Sequence, residues 1–254
     1  MRSLAFAIFS TLSCAASAQD ISVLGEVHDN PAHHAAQAER VAAIAPAALV
    51  FEMLTPEQAA RVTPDLRDDP EALARALDWD NSGWPDFAMY YPIFAAAPAA
   101  RVYGAGVGRD EARAAMEGGF DGPMGGEAAR FGLDQPLPEH QQEAREALQM
   151  EAHCNAIPEE MLPGMVRIQR LRDAMLARTA LLAHEESGGP VVVITGNGHA
   201  RRDWGMPALL ALAAPELDLH VVGQTENEMP LVGGFDEVLS APPAQRDDPC
   251  AAFR

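Results

Sequence analysis

The sequence contains no lysine at all; its 18 basic residues are all arginines, set against 37 acidic residues for a formal net charge of −19. An acidic surface of this kind repels nucleic acid and anionic lipid, so neither is expected as a partner. Cysteine is nearly absent, with 3 residues, and tyrosine and tryptophan are equally scarce at 3 each. Three cysteines are too few for a disulfide-dense mini-scaffold. Beyond the N-terminus no apolar run is long enough to cross a bilayer, so no integral span is expected. What remains is an alanine-, glycine- and proline-rich chain of 254 residues, long enough for one large α/β domain or a domain with a helical insertion.

The first 18 residues, "MRSLAFAIFSTLSCAASA", have the layout of a secretory signal peptide: an early Arg2, an apolar run, and the small residues Ala16-Ser17-Ala18. Cleavage is expected before Gln19, giving a periplasmic or envelope-associated product over residues 19–254. Acylation of Cys14 is the weaker alternative, because Thr11-Leu12-Ser13 is a poor lipid-attachment context. Two cysteines survive cleavage, Cys154 and Cys250, and an even pair in an oxidising compartment predicts one disulfide between them.

Short, nearly all-apolar runs at Ile21–Leu24, Ala48–Met53, Ala100–Ala105, Val191–Thr195 and Leu219–Val222 read as strands covered on both faces. Between them lie helix signatures with cap residues and first-turn prolines: "DNPAHHAAQAERVAAIA", "TPEQAARV" and "DPEALARAL". "RDEARAAME" follows the third strand. Residues roughly 120–187 differ. A Gly/Pro-rich loop from Asp121 to Pro138 leads into two long helical patterns with no strand between them, read as a helical insertion or subdomain. In the second, Met165, Ile168, Leu171 (or Arg172), Met175, Thr179 and Leu182 recur at helical spacing. The expected fold is therefore α/β, a mostly parallel sheet flanked by helices.

In such sheets ligands sit at the carboxyl ends of the strands, and there the sequence repeats itself. "LGEVHD" and "TGNGHA" each place Gly-x-x-His at the end of an apolar run, giving Gly25 to His28 and Gly196 to His199. Glu26 accompanies the first, Asn197 the second, and Glu52 ends the apolar run "ALVFEML". Glu26, His28, Glu52 and His199 are thus candidate catalytic residues or ligands of a divalent metal; they serve equally as a general acid/base pair without metal. His33 and His34 sit in a first helical turn, where the helix dipole disfavours protonation and leaves imidazoles able to bind metal or haem iron. Arg109 stands just past the third strand. In "WDNSGWPDFAMYYPIF", Trp84, Phe87, Tyr91 and Phe94 form a helical stripe that Pro92 would kink or end.

"LGEVHDNPAHHAAQ", "FEML" and "GNGHARRDWGMP" together resemble the ChaN-like haem-binding proteins, of the haem-binding-uptake and Tiki superfamily that also holds erythromycin-esterase-like hydrolases and Tiki-type metalloproteases. The resemblance implies an α/β domain with a small helical domain, located in the bacterial envelope. It implies haem as cofactor, held at a homodimer interface, with a role in haem-iron uptake. The proteolytic branch implies instead a divalent metal on two Gly-x-x-His motifs and a glutamate, here Glu26 or Glu52. The haem-ligand tyrosine must come from Tyr90, Tyr91 or Tyr103, of which Tyr91 is taken. With no lysine for the haem propionates, Arg109, Arg201 or Arg202 would hold them. His28, His33, His34, Asn197 and His199 complete the expected haem-binding set.

Overall fold

The computed structural model describes residues 19–248 and 250–251, so the expected signal peptide and Cys14 lie outside the described residues. In chain order the regular elements are β1 (Ile21–Glu26), α1 (Pro31–Ile44), β2 (Ala48–Phe51), α2 (Pro56–Ala59), α3 (Pro70–Leu77), α4 (Phe87–Ala96), β3 (Arg101–Gly104), α5 (Arg109–Met116), α6 (Glu139–Ala152), α7 (Leu162–Ser187), β4 (Val191–Gly196), α8 (Asn197–Ala200), α9 (Met206–Ala213), β5 (Leu219–Glu226) and β6 (Glu237–Ala241). The six strands form one parallel sheet in the order β3-β2-β4-β1-β5-β6. The two strands that end in Gly-x-x-His, β1 and β4, are hydrogen-bonded neighbours, with Gly25 opposite Thr195 and Glu26 opposite Gly196.

The helix starts follow from local chemistry. The Asn30 side chain accepts from Ala32 N to cap α1, and Thr55 and Gln58 close a capping box around α2, each ahead of a proline in the first turn. Asp69 and Asp86 do the same for α3 and α4 by accepting from Ala72 N and Ala88 N. Pro92 does not end its helix: α4 runs on to Ala96, its Ile93 and Phe94 fully buried, so packing outweighs the lost backbone bond.

Two cores lie on the two faces of the sheet. Ile21, Val23, Val50, Val193 and Val221 face α5, α7 and α9; Leu24, Leu49, Phe51, Ile194 and Val222 face α1, α3 and α4. The long helix α7, expected within an insertion, packs directly on β2, β3 and β4 and is itself a layer of the domain, with α6 lying against it. Its buried stripe runs through Leu171, Ala174, Met175 and Leu181, while Leu182, expected in the stripe, is 45% exposed. The edge strand β6 has no counterpart among the expected strands. Cys154, just past α6, and Cys250, near the C-terminus, are joined in a disulfide.

Candidate functional site

Strand alternation decides where the two carboxylates point. Glu26 shares parity with Leu24 and so leans to the α1/α4 face; Glu52 shares parity with Val50 and leans to the α7 face. Each is buried and each is paired with an imidazole, so two carboxylate–imidazole pairs flank the end of β4 from opposite sides.

On the α1/α4 side, Glu26 Oε1 accepts from His28 Nδ1 at 2.8 Å and from the Tyr90 hydroxyl at 2.9 Å. His34 Nδ1 stands 3.4 Å from Glu26 Oε2, while its Nε2 donates to His28 O at 2.8 Å. Trp84 covers the His28 ring, with centroids 4.9 Å apart. Burial works against a charged His28, yet the hydrogen bond to Glu26 and the nearby Glu52 charge outweigh it, and the imidazole pKa is raised.

On the α7 side, Glu52 Oε2 accepts from Thr195 Oγ1 at 2.6 Å and from Gly196 N at 2.8 Å. Its Oε1 lies 3.6 Å from His199 Nε2. His199 Nδ1 donates to Asp173 Oδ1 at 2.7 Å, and Asp173 Oδ2 faces Arg145 Nη1 at 3.6 Å. Burial opposes charge on His199, but Glu52 and Asp173 on either side of the ring raise its pKa. Burial raises the Asp173 carboxyl; Glu52, also buried, is lowered because the two imidazoles and its two donors favour its charge. The arrangement can hold a proton on His199 between two carboxylates.

The two motifs interlock through their glycines. A Cβ on Gly196 would stand 2.7 Å from His28 Nε2, and a Cβ on Gly25 would stand 2.6 Å from Asn197 Oδ1. Each glycine makes room for a side chain of the other motif. Asn197 is thereby a bridge to β5, donating to Gln224 O at 2.7 Å and accepting from Gln224 N at 3.0 Å.

Of the expected site residues, Glu26, His28, Glu52 and His199 come together at this edge. Others are placed elsewhere. His33 is fully buried and accepts from Val27 N with Nδ1 at 2.9 Å, which builds the β1–α1 turn; its neutrality, expected from the helix dipole, owes most to burial. Arg109 is exposed at the start of α5, and Arg202 is spent on Asp236 and Leu219 O. The expected tyrosine ligand, Tyr91, gives its hydroxyl to Arg67 O at 2.8 Å. Tyr90 is sealed against Glu26, where burial and that carboxylate hold the phenol protonated. Tyr103 donates to Glu186 at the far end of α7, where burial and Glu186 push its phenol up to about 12. The one tyrosine hydroxyl at the edge, that of Tyr90, is thus engaged by Glu26, and those of Tyr91 and Tyr103 bond elsewhere. Among the described residues no three His, Cys, Asp or Glu side chains are arranged to hold a metal ion, the His28 and His199 rings each being turned on to a carboxylate.

Two cavities open beside the α7-side pair. One, of about 290 Å³, lies towards β2 and β3 and includes Glu52, Trp84 and Arg172. The other, of about 420 Å³, lies between α6, α7 and the loop before β6, with Leu148, Val166, Leu231 and Val232 as apolar walls and His199 at its base. In the second, Arg201 stacks on Trp204 with its guanidinium carbon 3.5 Å from the ring centroid, and Arg145 approaches the same ring at 5.2 Å. Arg145 Nε is buried without a hydrogen-bond partner. Sequence reasoning missed Asp173 and Arg145, both inside helical patterns; Asp173 lies off the stripe read there, and only its burial in the structure shows a carboxylate that must be paired.

An open parallel α/β sheet with its polar residues gathered at the carboxyl edge defines a ligand-binding protein of the type that works at strand ends. The chain belongs to the family described as haem-binding uptake, Tiki superfamily, ChaN, which it matches over residues 12–210. No curated protein matches it significantly. A solved structure with a similar fold, titled "Cofacial heme binding to ChaN of Campylobacter jejuni", aligns with TM-score 0.63 and 19% identity, covering 84% of either chain. The type III effector HopBA1 aligns with TM-score 0.46 and 12% identity over 88% of either chain.

Proposed function

We propose that this protein binds haem in the cavity between α6 and α7 and acts in haem-iron uptake or handling in the bacterial envelope. The observation that carries the reading is the unsatisfied Arg145 Nε at the wall of an apolar cavity, in a chain of a haem-binding-uptake family. Leu148, Val166, Leu231 and Val232 suit a porphyrin face, and Arg145 suits one of its carboxylates, whereas Arg201 is already held bidentately by Asp203. His199 is the one cavity-lining side chain with an iron-ligating ring nitrogen; Asp173 accepts from its Nδ1, and Nε2 would hold iron on giving up the proton it turns towards Glu52. Bound haem supplies a redox-active iron with a visible spectrum. Leu148 and Val232 at the rim are 43% and 74% exposed, surface that a second copy of the chain would cover in a homodimer. Residues 1–18 act as a cleaved export signal in this reading.

Titration of the purified protein with haemin, followed by visible absorption, tests it. A saturable Soret shift is expected, altered or lost in His199→Ala and unchanged in Tyr91→Phe. A featureless titration of the parent protein overturns the reading. A metal-independent hydrolase is the second reading, favoured by the Asp173–His199 pair beside Glu52; it predicts ester hydrolysis that persists in chelator and needs His199.

A further inference from the structure

The cavity of about 290 Å³ lies outside the proposed haem cavity and has a different character. Its apolar wall is Met53, Trp84, Val107 and Leu176; its two charged groups are Glu52 and Arg172. The other polar side chains are already engaged. Gln58 donates to Leu77 O and accepts from Thr55 N, and the Ser82 hydroxyl donates to Trp79 O and accepts from Trp84 N.

Arg172 is the anomaly. Among the described residues only Arg109 and Arg172 of all the arginines make neither a hydrogen bond nor an ion pair, and Arg109 is fully on the surface. Arg172 is half-buried on α7. In a chain with 37 acidic against 18 basic residues, carboxylate partners are abundant, yet this guanidinium has none. A partly desolvated arginine fork without an acceptor is costly, and the group that fits it best is a planar carboxylate. Glu52 is likewise half-used. Its Oε2 takes both donors of β4, whereas Oε1 meets only His199 Nε2 at 3.6 Å. That oxygen has capacity for a further donor.

We propose that this cavity binds a small zwitterion of the α-amino-acid type, its carboxylate on Arg172, its ammonium on Glu52 and an apolar side chain against Trp84 and Leu176. The volume suits a molecule of that size and is small for a porphyrin. A zwitterion also carries no net charge, so the protein's net charge of −19 does not oppose its entry as it would an anion's.

Calorimetric titration with L-leucine as probe tests the assignment, with isoamylamine (no carboxylate) and N-acetyl-leucine (no ammonium) as paired controls on the same unmodified protein. Leucine binding is expected, weakened at least about tenfold for each control. Arg172→Gln should weaken leucine by a similar factor, while Arg109→Gln binds as the parent does. The haemin titration of Arg172→Gln should match the parent, which separates this site from the haem cavity. Absence of leucine binding at millimolar concentration overturns the proposal. So does equal binding of N-acetyl-leucine, or undiminished binding by Arg172→Gln. Should that variant fail to fold, the two control ligands decide the matter.

Discussion

At the scale of single residues, the repeated Gly-x-x-His is explained by exchange of space. Neither glycine has a positive φ, so the reason for glycine is steric. The consequences of filling each space differ. At Gly196 the obstructed atom is the far end of the His28 side chain, which can swing aside; at Gly25 a Cβ also meets Val222 O, a backbone atom, at 3.1 Å. Gly25→Ala should therefore destabilise the fold by about 1–3 kcal/mol, because displaced Asn197 leaves the backbone N–H and C=O of Gln224 without their Asn197 partners. Gly196→Ala should cost less, but it pulls His28 from Glu26. Since the hydrogen bond to Glu26, ahead of the Glu52 charge, is the leading influence raising the His28 pKa against burial, the NMR titration midpoint of His28 should fall in Gly196→Ala. Equal urea midpoints for Gly25→Ala and the parent, with an unmoved His28 titration, would refute the interlock.

At the scale of elements, the central strands were legible because β1, β2 and β4 are continuous apolar runs bounded by turn residues. That same feature hid the facing of Glu26 and Glu52. A strand buried on both faces shows no hydrophobic alternation, so sequence placed both carboxylates at one edge without revealing that they lean to opposite faces. The edge strand β6, "EVLSA", is short and only partly buried, and gave no apolar run to detect. Its C-terminal extension is held by charge. Arg246 donates to Asp29 and Glu226, Glu226 also accepts from Ala244 N, and the Asn30 amide donates to both Glu226 and Pro242 O. Chiefly because of Arg246, the Glu226 carboxyl is pushed from 4.5 to about 2. A depressed carboxyl contributes stability that is full above the unfolded value and is lost as pH falls through the folded one. The Ala244 amide, which donates to Glu226, should thus stay protected from exchange at pH 5 and open progressively between about pH 4.5 and 2. In Arg246→Gln that opening should begin at higher pH; identical profiles would show that the tail is held otherwise.

At the scale of the whole molecule, the family match ends at residue 210, so β5, β6 and the C-terminal tail lie beyond it. The tail nevertheless ties together distant parts of the chain. It leaves β6, bonds the β1–α1 turn through Arg246, and reaches Cys250, joined to Cys154 across a sequence separation of 96. Cys154 follows α6, whose Leu148, Gln149 and Ala152 line the proposed haem cavity. The disulfide therefore links the sheet's far edge to the helix that walls that cavity, which no local pattern in the sequence could show; the pairing itself followed from there being two cysteines left. A cross-link closing so long a loop removes much chain entropy from the unfolded state, and its loss typically costs about 2–5 kcal/mol. Cys154→Ser/Cys250→Ser should lower the unfolding free energy by that amount in urea, and haemin affinity should fall with it, because α6 packs mainly on α7 and loses its second anchor. A double variant as stable as the parent would mean that the salt bridges of Arg246 alone hold the tail. Unchanged haemin affinity in a destabilised variant would mean that α6 is positioned by α7 without help from the tail.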